Sequence, residues 1–180
     1  MMENDQEHTG NYRKFFAMIG TSMILMYILM YLNSYDILDH AWFSETRFFM
    51  TLIMGAVMTL VMFFFMRSMY KNDQTNTAIV IGAILVLASA IWLVRSQVTV
   101  TDVDYMEGMI PHHSIAILTS ERAQIEDVRV RELADEIIEA QVREIKEMEW
   151  LIEDIRNNGL ATSQEQADAR PVPAFSADDK

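Results

Sequence analysis

The chain has 180 residues, a hydrophobic fraction of 51%, no cysteine and a formal net charge of −12. The absence of cysteine excludes disulfide frameworks, thiolate zinc sites and thiol redox chemistry, which leaves imidazole, thioether and carboxylate groups as metal ligands. Acidic residues are concentrated after residue 100, where 19 Asp and Glu stand against 8 Lys and Arg. A segment this acidic repels nucleic acid and attracts cations. We therefore expect metal ions as partners and no nucleic acid.

Three apolar runs precede residue 95. Residues 15–32, 48–66 and 78–94 are each long enough, and low enough in charge, to cross a bilayer as a helix. They predict a three-helix membrane region over residues 15–95, behind a polar N-terminal segment of residues 1–14. No small-x-small cleavage site follows the first run, so an uncleaved anchor is favoured over a signal peptide.

Basic residues indicate the orientation of these helices. Arg13 and Lys14 precede the first run, and Arg67 and Lys71 lie between the second and third runs. The positive-inside rule places both pairs in the cytoplasm. We therefore expect a multi-pass protein of the inner (cytoplasmic) membrane with a cytoplasmic N-terminus. The first loop and everything after residue 95 are then periplasmic or otherwise extracytoplasmic.

Two features of the membrane region allow alternative interpretations. Methionine recurs at every fourth position of the second run, at Met50, Met54, Met58, Met62 and Met66. This stripe of thioethers either packs as flexible side chains or passes Cu(I) along, and packing is favoured because no intramembrane His, Asp or Glu accompanies it. In the first loop, Asp36, Asp39 and His40 either hold a cation or simply form a short polar connection.

Two helices are predicted after the membrane region, in a domain of residues 101–156. The first begins at Thr101 or Asp102 and ends near Gln124, because Thr101 and Asp104 have the spacing of a capping box. Pro111 is expected either to kink this helix or to stand at its first position.

The second helix is predicted from about residue 128 to residue 155. Its apolar residues recur at alternating intervals of four and three, opposite a charged face, which is the pattern of a helix-bundle seam. Residues 157–180 are rich in Ala, Ser, Gln, Asp and Pro. This composition predicts a disordered acidic tail.

The candidate functional site lies on facing stripes of these two helices. At 100° per residue, four side chains of the first helix fall within about 60° of arc: Asp102, Met106, Met109 and His113. His112 lies about 100° away, so the two imidazoles reach one ion only if the helix is distorted near Pro111, and otherwise they serve two ions. On the second helix, Gln141, Glu144 and Met148 share the apolar stripe.

Thioether and imidazole groups together favour copper, since thioether selects Cu(I) and imidazole accepts either oxidation state. Zinc normally takes a third His, a Cys or a carboxylate, and a di-iron site would place Glu three residues before a His, which this chain does not do. The candidate ligands are Met106, Met109, His112, His113 and Met148, with Asp102, Gln141 and Glu144 near the site. The competing interpretation is structural: Met packs the core, the His pair bonds backbone, and Gln and Glu fix helix register.

The line Met109-Ile-Pro-His112-His113, followed by Gln141-x-x-Glu144-Ile-x-x-Met148, resembles a bacterial family called domain of unknown function 305. The resemblance covers about residues 102–155. It implies a ferritin-like helical bundle in the bacterial envelope, of a type in which some members bind copper. It also implies that Met109, His112, His113 and Met148 are ligands. Because a four-helix bundle needs two hairpins, we expect a homodimer.

These observations predict an all-α protein, with three membrane helices followed by an extracytoplasmic hairpin that forms half of a ferritin-like four-helix bundle. The predicted function is copper binding for buffering, resistance or delivery, with Cu(I) favoured over Cu(II) or another transition metal. The alternative is a membrane-anchored assembly or sensor module without a metal. No catalytic motif is evident in the sequence, so we do not expect an enzyme; a metal-dependent oxidoreductase is a third hypothesis.

Overall fold

The computed structural model describes residues 2–176, and for residues 2–10 the backbone alone. Within these residues the chain forms helices and no strand. The helices are α1 (Met2–Leu29), α2 (Glu45–Met66), α3 (Asp73–Ser96), α4 (Asp102–Arg122), α5 (Val128–Asn158) and α6 (Gln164–Asp168). Residues 1 and 177–180, the extreme ends of the predicted N-terminal segment and tail, lie outside the described residues.

The helices belong to two compact units. The N-terminal unit contains the residues up to Met30 together with Thr46–Thr99. The hairpin unit contains Tyr31–Glu45 together with the residues from Val100 onward. The loop between α1 and α2 is thus part of the same unit as α4 and α5.

In the N-terminal unit, α1 and α2 lie antiparallel. At one end, Phe15 of α1 and Phe63 of α2 belong to the same buried cluster. At the other end, Nη1 of Arg47 donates a hydrogen bond to the carbonyl of Met30 at 3.1 Å. α1 therefore runs beside α2 from residue 15 to residue 30.

The turn between α2 and α3 is fastened by tyrosines. The Tyr12 hydroxyl donates to Oδ1 of Asn76 at 2.7 Å, and its ring stacks on Tyr70 with 4.9 Å between centroids. Tyr70 is buried in one cluster with Phe15 and Ile79. Residues from α1, from α3 and from the turn thus meet at this end of the unit.

Two helical segments are long and apolar enough, by length and composition, to cross a membrane. They are Glu45–Met69, which is α2 together with the 3-10 turn Arg67–Met69, and Asp73–Ser96, which is α3. They correspond to the predicted runs 48–66 and 78–94. The predicted run 15–32 does not qualify, because α1 ends at Leu29. The fifteen residues from Phe15 to Leu29 rise about 22 Å at 1.5 Å per residue, which is shorter than the roughly 30 Å hydrocarbon core. The prediction of three membrane helices is therefore supported for two of them.

In the hairpin unit, α4 begins at a capping box. The Asp104 N–H donates to Oγ1 of Thr101, and the Thr101 N–H donates to Oδ2 of Asp104. α4 continues through Pro111 to Arg122, so the expectation that a helix starts at Pro111 is wrong. α5 is capped by Asp127 and extends three residues beyond the predicted end at residue 155.

α4 and α5 pack antiparallel around an apolar core. Its buried residues are Met106, Ile110, Ile117, Ile145, Met148 and Ile152. Trp42, from the segment Tyr31–Glu45, packs against this cluster. Ser44 of the same segment is 1% exposed and lies close to Gly108. The first loop, which the sequence presents as a short polar connection, therefore contributes to the core.

The tail predicted to be disordered has contacts in the structure. Residues 164–168 form α6, and Nη1 of Arg170 lies 2.6 Å from Oδ2 of Asp154 on α5. Farther on, Nζ of Lys146 donates to the Ser176 carbonyl at 2.8 Å. Up to residue 176, the tail thus lies against α5 through ion pairing and hydrogen bonds. The prediction of disorder rested on amino-acid composition, which does not reveal such polar contacts.

Candidate metal site

The packing of α4 on α5 brings His113 and Glu144 together. Nδ1 of His113 lies 3.3 Å from Oε2 of Glu144, and the His113 side chain is 12% exposed. The Nδ1 atom itself is buried and makes no hydrogen bond. Buried polar atoms are normally hydrogen-bonded, so this nitrogen is the best placed of the predicted donors to bind a ligand.

Burial also determines the charge of His113. It lowers the pKa of the imidazole below its ordinary value of 6.5, Glu144 opposes that shift, and His112 adds to it. His113 is therefore held in its neutral form, which is the form that coordinates metal ions.

His112 stands in different surroundings. It is exposed, and its ring centroid lies 6.0 Å from that of His113 with 59° between the ring planes. The unbroken helix keeps the two imidazoles on adjacent faces of α4, as the 100° step predicts. His112 is thus open to solvent while His113 is turned toward α5.

The methionines lie in the core between the helices. Met106 is 6% exposed and Met148 is 9% exposed, both among isoleucines, and Met109 packs on the edge of the same cluster. Within the part of the chain that the structure describes, no three His, Asp or Glu side chains are grouped to hold a metal ion. A metal site on this hairpin would therefore depend on thioether sulfur.

Candidate residues that share a face of α4 can still lie far apart along the helix axis. Met106 precedes His113 by seven residues, about 10 Å of helix, and Asp102 precedes it by eleven, about 16 Å. Side chains on a helix lean toward its N-terminus, so His113 leans toward Met109, while Met106 leans away from His113. Asp102 is exposed in the first turn of α4. Met109 is thus the thioether of α4 that lies nearest to His113 along the helix, and the assignment of Met106 and the other candidates as ligands stays a prediction.

On α5, three predicted residues occupy successive turns of the helix. Gln141 and Glu144 are half-buried, and Met148 is buried. Glu144 is the one brought to His113. The spacing of Gln141, Glu144 and Met148 places the other two one turn to either side of Glu144.

One neighbour of the site was not predicted. Oγ of Ser114, the residue after His113, lies 2.8 Å from Nδ1 of His40 and accepts the Tyr35 N–H at 2.7 Å. Burial raises the pKa of Glu149, and the nearby His40 opposes that shift. His40 therefore contacts α4 and lies near α5.

Polar groups of the first loop bond within the loop itself, in line with the second of the two interpretations given for Asp36, Asp39 and His40. Oδ1 of Asp36 accepts the N–H groups of Leu38 and Asp39, at 3.0 Å and 3.1 Å. These bonds lower the pKa of Asp36. The Asp39 carbonyl accepts from Nε1 of Trp42 at 2.9 Å, so these polar groups shape the loop.

A second tie holds the same loop. Arg156 of α5 forms an ion pair with the nearly buried Glu107 of α4. Its guanidinium carbon lies 5.8 Å from the ring centroid of Trp42, a cation–π distance. Segment 31–45 is thus joined to both helices of the hairpin.

Comparison with known proteins supports the resemblance in the His and Met motifs. The family described as Domain of unknown function (DUF305) matches residues 93–174. An uncharacterized protein of Acanthamoeba polyphaga mimivirus is 30% identical over 147 residues, which covers 76% of this chain and 95% of that protein. The chain belongs to the DUF305 family. No solved structure matches it.

The DUF305 region contains α4, α5 and α6, and with them every predicted site residue. The match to the viral relative takes in 76% of the chain, which is much more than residues 93–174. A large part of that match therefore lies in the N-terminal helices. The similarity to that relative is thus not confined to the DUF305 region.

Proposed function

We propose that this DUF305 protein is a membrane-anchored, extracytoplasmic copper-binding protein that buffers or delivers copper. The observation that carries the proposal is the buried Nδ1 of His113, which has no hydrogen bond although it lies beside Glu144. Met109 and Met148 border the same helix interface. Imidazole and thioether groups together favour copper over hard cations.

In this role the protein would bind and release a copper ion reversibly, and no proton would have to be transferred at the metal. His113 and Met109 would hold the ion from α4, and Met148 from α5. Oε2 of Glu144 lies 3.3 Å from Nδ1 of His113, so this carboxylate would stand next to the bound ion. His112, being exposed, is placed to receive or release the ion.

The membrane anchor consists, in this proposal, of α1, α2 and α3. α2 and α3 are apolar enough to cross, and α1 lies along α2 from residue 15 to residue 30. The short turn that carries Arg67 and Lys71 is cytoplasmic by the positive-inside rule. Residues 31–45 and the residues after 100 share one unit, which requires them to lie on the same side, as this topology provides.

A second copy of the chain is proposed to complete the bundle. Val128, Val130 and Leu133 on the first turns of α5 are 79%, 48% and 55% exposed. A four-helix bundle would cover such apolar side chains with a second hairpin. If the chain proves to bind no metal, this surface favours the alternative function, an assembly module.

The test is anaerobic Cu(I) titration of the full chain in detergent, in competition with a chromogenic chelator. We expect one high-affinity equivalent to be lost in a His112→Ala/His113→Ala variant and in a Met109→Leu/Met148→Leu variant. The second variant conserves side-chain volume and so retains the fold. A Met18→Leu/Met69→Leu variant removes two exposed thioethers of the N-terminal unit and serves as the control. Unchanged binding in both site variants would refute the proposal.

A further inference from the structure

The N-terminal unit contains a second concentration of sulfur. Ten of the 15 methionines of the chain lie between residues 18 and 69, and the structure divides them by environment. Met18, Met50 and Met69 are exposed, at 38%, 38% and 48%. Four others are partly buried and pack against a single cluster, and we call them the thioether seam: Met23, Met58, Met62 and Met66.

The seam lies where α1 meets α2, and Gly55 makes room for it. A Cβ atom placed on Gly55 would lie 2.4 Å from Sδ of Met23. The Met23 sulfur thus occupies space that a side chain on α2 would otherwise fill. Met58 and Met62 follow Gly55 at intervals of three and seven residues, which places them on the same face of α2. Met23 of α1 therefore lies against the face of α2 that also carries Met58 and Met62.

The surroundings of the seam suit a soft monovalent cation. Its members pack around Phe15, Phe63 and Tyr70, whose rings lie 5.5 Å and 5.8 Å apart, Phe15 to Tyr70 and Phe63 to Tyr70. Aromatic rings attract cations and make favourable contacts with sulfur. Neither residues 15–29 nor residues 46–66 contain a His, Asp or Glu. Hard divalent ions would find no oxygen ligands here and would lose more hydration energy than a monovalent ion.

We propose that the thioether seam binds one Cu(I) ion, at a site separate from the His113 site. The inference rests on the proposed function only in taking copper as the ion that this protein handles. The ligands are neutral sulfur atoms, so the ion enters without releasing a proton and without a change in oxidation state. Binding at the seam is therefore independent of pH between roughly pH 5.5 and 8, whereas binding at imidazole weakens as the pH falls.

The experiment uses the full chain in phosphatidylcholine nanodiscs, with His112→Ala/His113→Ala introduced to remove the outer site. In that background we expect about one equivalent of Cu(I), with sulfur-only coordination in X-ray absorption spectra and the same affinity at pH 5.5 and pH 8. Met23→Leu/Met58→Leu/Met62→Leu abolishes this equivalent. The matched control, Met18→Leu/Met50→Leu/Met69→Leu, removes three exposed thioethers instead, and we expect it to retain the Cu(I) equivalent.

The outcomes separate the two copper sites. Because Met→Leu replacement conserves volume, circular dichroism should show the same helix content in both triple variants. Absence of Cu(I) from the His-free background, or equal loss in both triple variants, overturns the seam proposal and leaves the His113 site standing. A seam variant with both histidines intact retains the outer equivalent. If the outer equivalent is missing from this seam variant, while the seam of the His-free protein still binds one Cu(I), the proposed function is refuted and the seam proposal stands.

Discussion

Nδ1 of His40 lies 2.8 Å from Oγ of Ser114, although 74 residues separate the two in the chain. The same oxygen accepts the N–H of Tyr35, and Ser114 has no exposed surface. One hydroxyl of α4 therefore fixes two points of the segment between α1 and α2. The hairpin carrying the candidate ligands is consequently one part of a unit that also includes residues 31–45.

Replacing Ser114 by Ala tests this connection. The substitution leaves the Tyr35 N–H and the His40 ring without their partner, which costs about 1–3 kcal/mol for a buried polar group. We expect the free energy of unfolding of the full chain in detergent to fall by that amount, measured by urea titration with tryptophan fluorescence. Ser120→Ala, six residues farther along the same helix, should change it by less than about 0.5 kcal/mol. If the free energy of unfolding falls no more for Ser114→Ala than for Ser120→Ala, the contact contributes no stability.

The buried imidazole of His113 predicts a dependence of stability on pH. Because the folded pKa of His113 is lowered from 6.5, the unfolded chain takes up the proton first as the pH falls. The stability from neutral His113 is complete above pH 6.5 and is lost as the pH falls toward the folded pKa. We expect metal-free wild-type protein to lose more stability between pH 7.5 and pH 5 than His113→Asn, measured by denaturant titration at each pH. His112→Asn leaves the buried ring in place and removes only the smallest of the influences on its pKa, so its curve should lie close to that of the wild type. Identical curves for wild type and His113→Asn would contradict the prediction.

Gly55 is predicted to leave the space that the Met23 side chain fills. A side chain at this position meets the Met23 sulfur, while a Cβ atom at Gly82 of α3 meets nothing within 4 Å. Gly55→Leu should therefore destabilise the protein by about 1–3 kcal/mol, the usual cost of overpacking. Gly82→Leu, the same change in the neighbouring apolar helix, should be tolerated. Thermal unfolding in detergent, followed by circular dichroism, distinguishes them, and a larger loss of stability for Gly82→Leu would contradict the prediction.

The ion pair between Arg170 and Asp154 is predicted to hold the C-terminal segment against α5. Both side chains are mostly buried, at 25% and 14% exposure. Arg170→Ala should release residues 160–176 and increase their cleavage by elastase, which cuts after small residues such as Ala161 and Ala167, severalfold. Arg129→Ala removes an arginine that is 90% exposed and paired with Asp127, and it should leave cleavage of the tail unchanged. Mass spectrometry of the fragments identifies the cleaved bonds.

Local signals in the sequence predicted the helices well. Apolar runs located α2 and α3, and the capping residues Thr101 and Asp127 located the starts of α4 and α5. These signals act within a turn or two of helix, so a single sequence contains them. The extent of α1 was less accessible, because its apolar part stops at Leu29 while the sequence stays apolar to residue 32.

Contacts between distant residues were not predictable in the same way. The pattern around His40 does not reveal its partner Ser114, because that contact depends on how the loop folds over Gly108 and the core. The helical wheel likewise grouped Met106 with His113 by angle alone. Met106 and His113 are separated by about 10 Å along the helix axis. Met109 is therefore the thioether of α4 nearest to His113.

The two segments of the hairpin unit, residues 31–45 and the residues from Val100 onward, are synthesised at different times. Ribosomes deliver Trp42 and its neighbours before α2 and α3, and long before the helices on which they will rest. During that interval the indole ring has no apolar surface of its own unit to cover it. A chain that ended before α5 would never supply Ile145, Met148 and Ile152, so the ring would lack the part of its core that α5 provides.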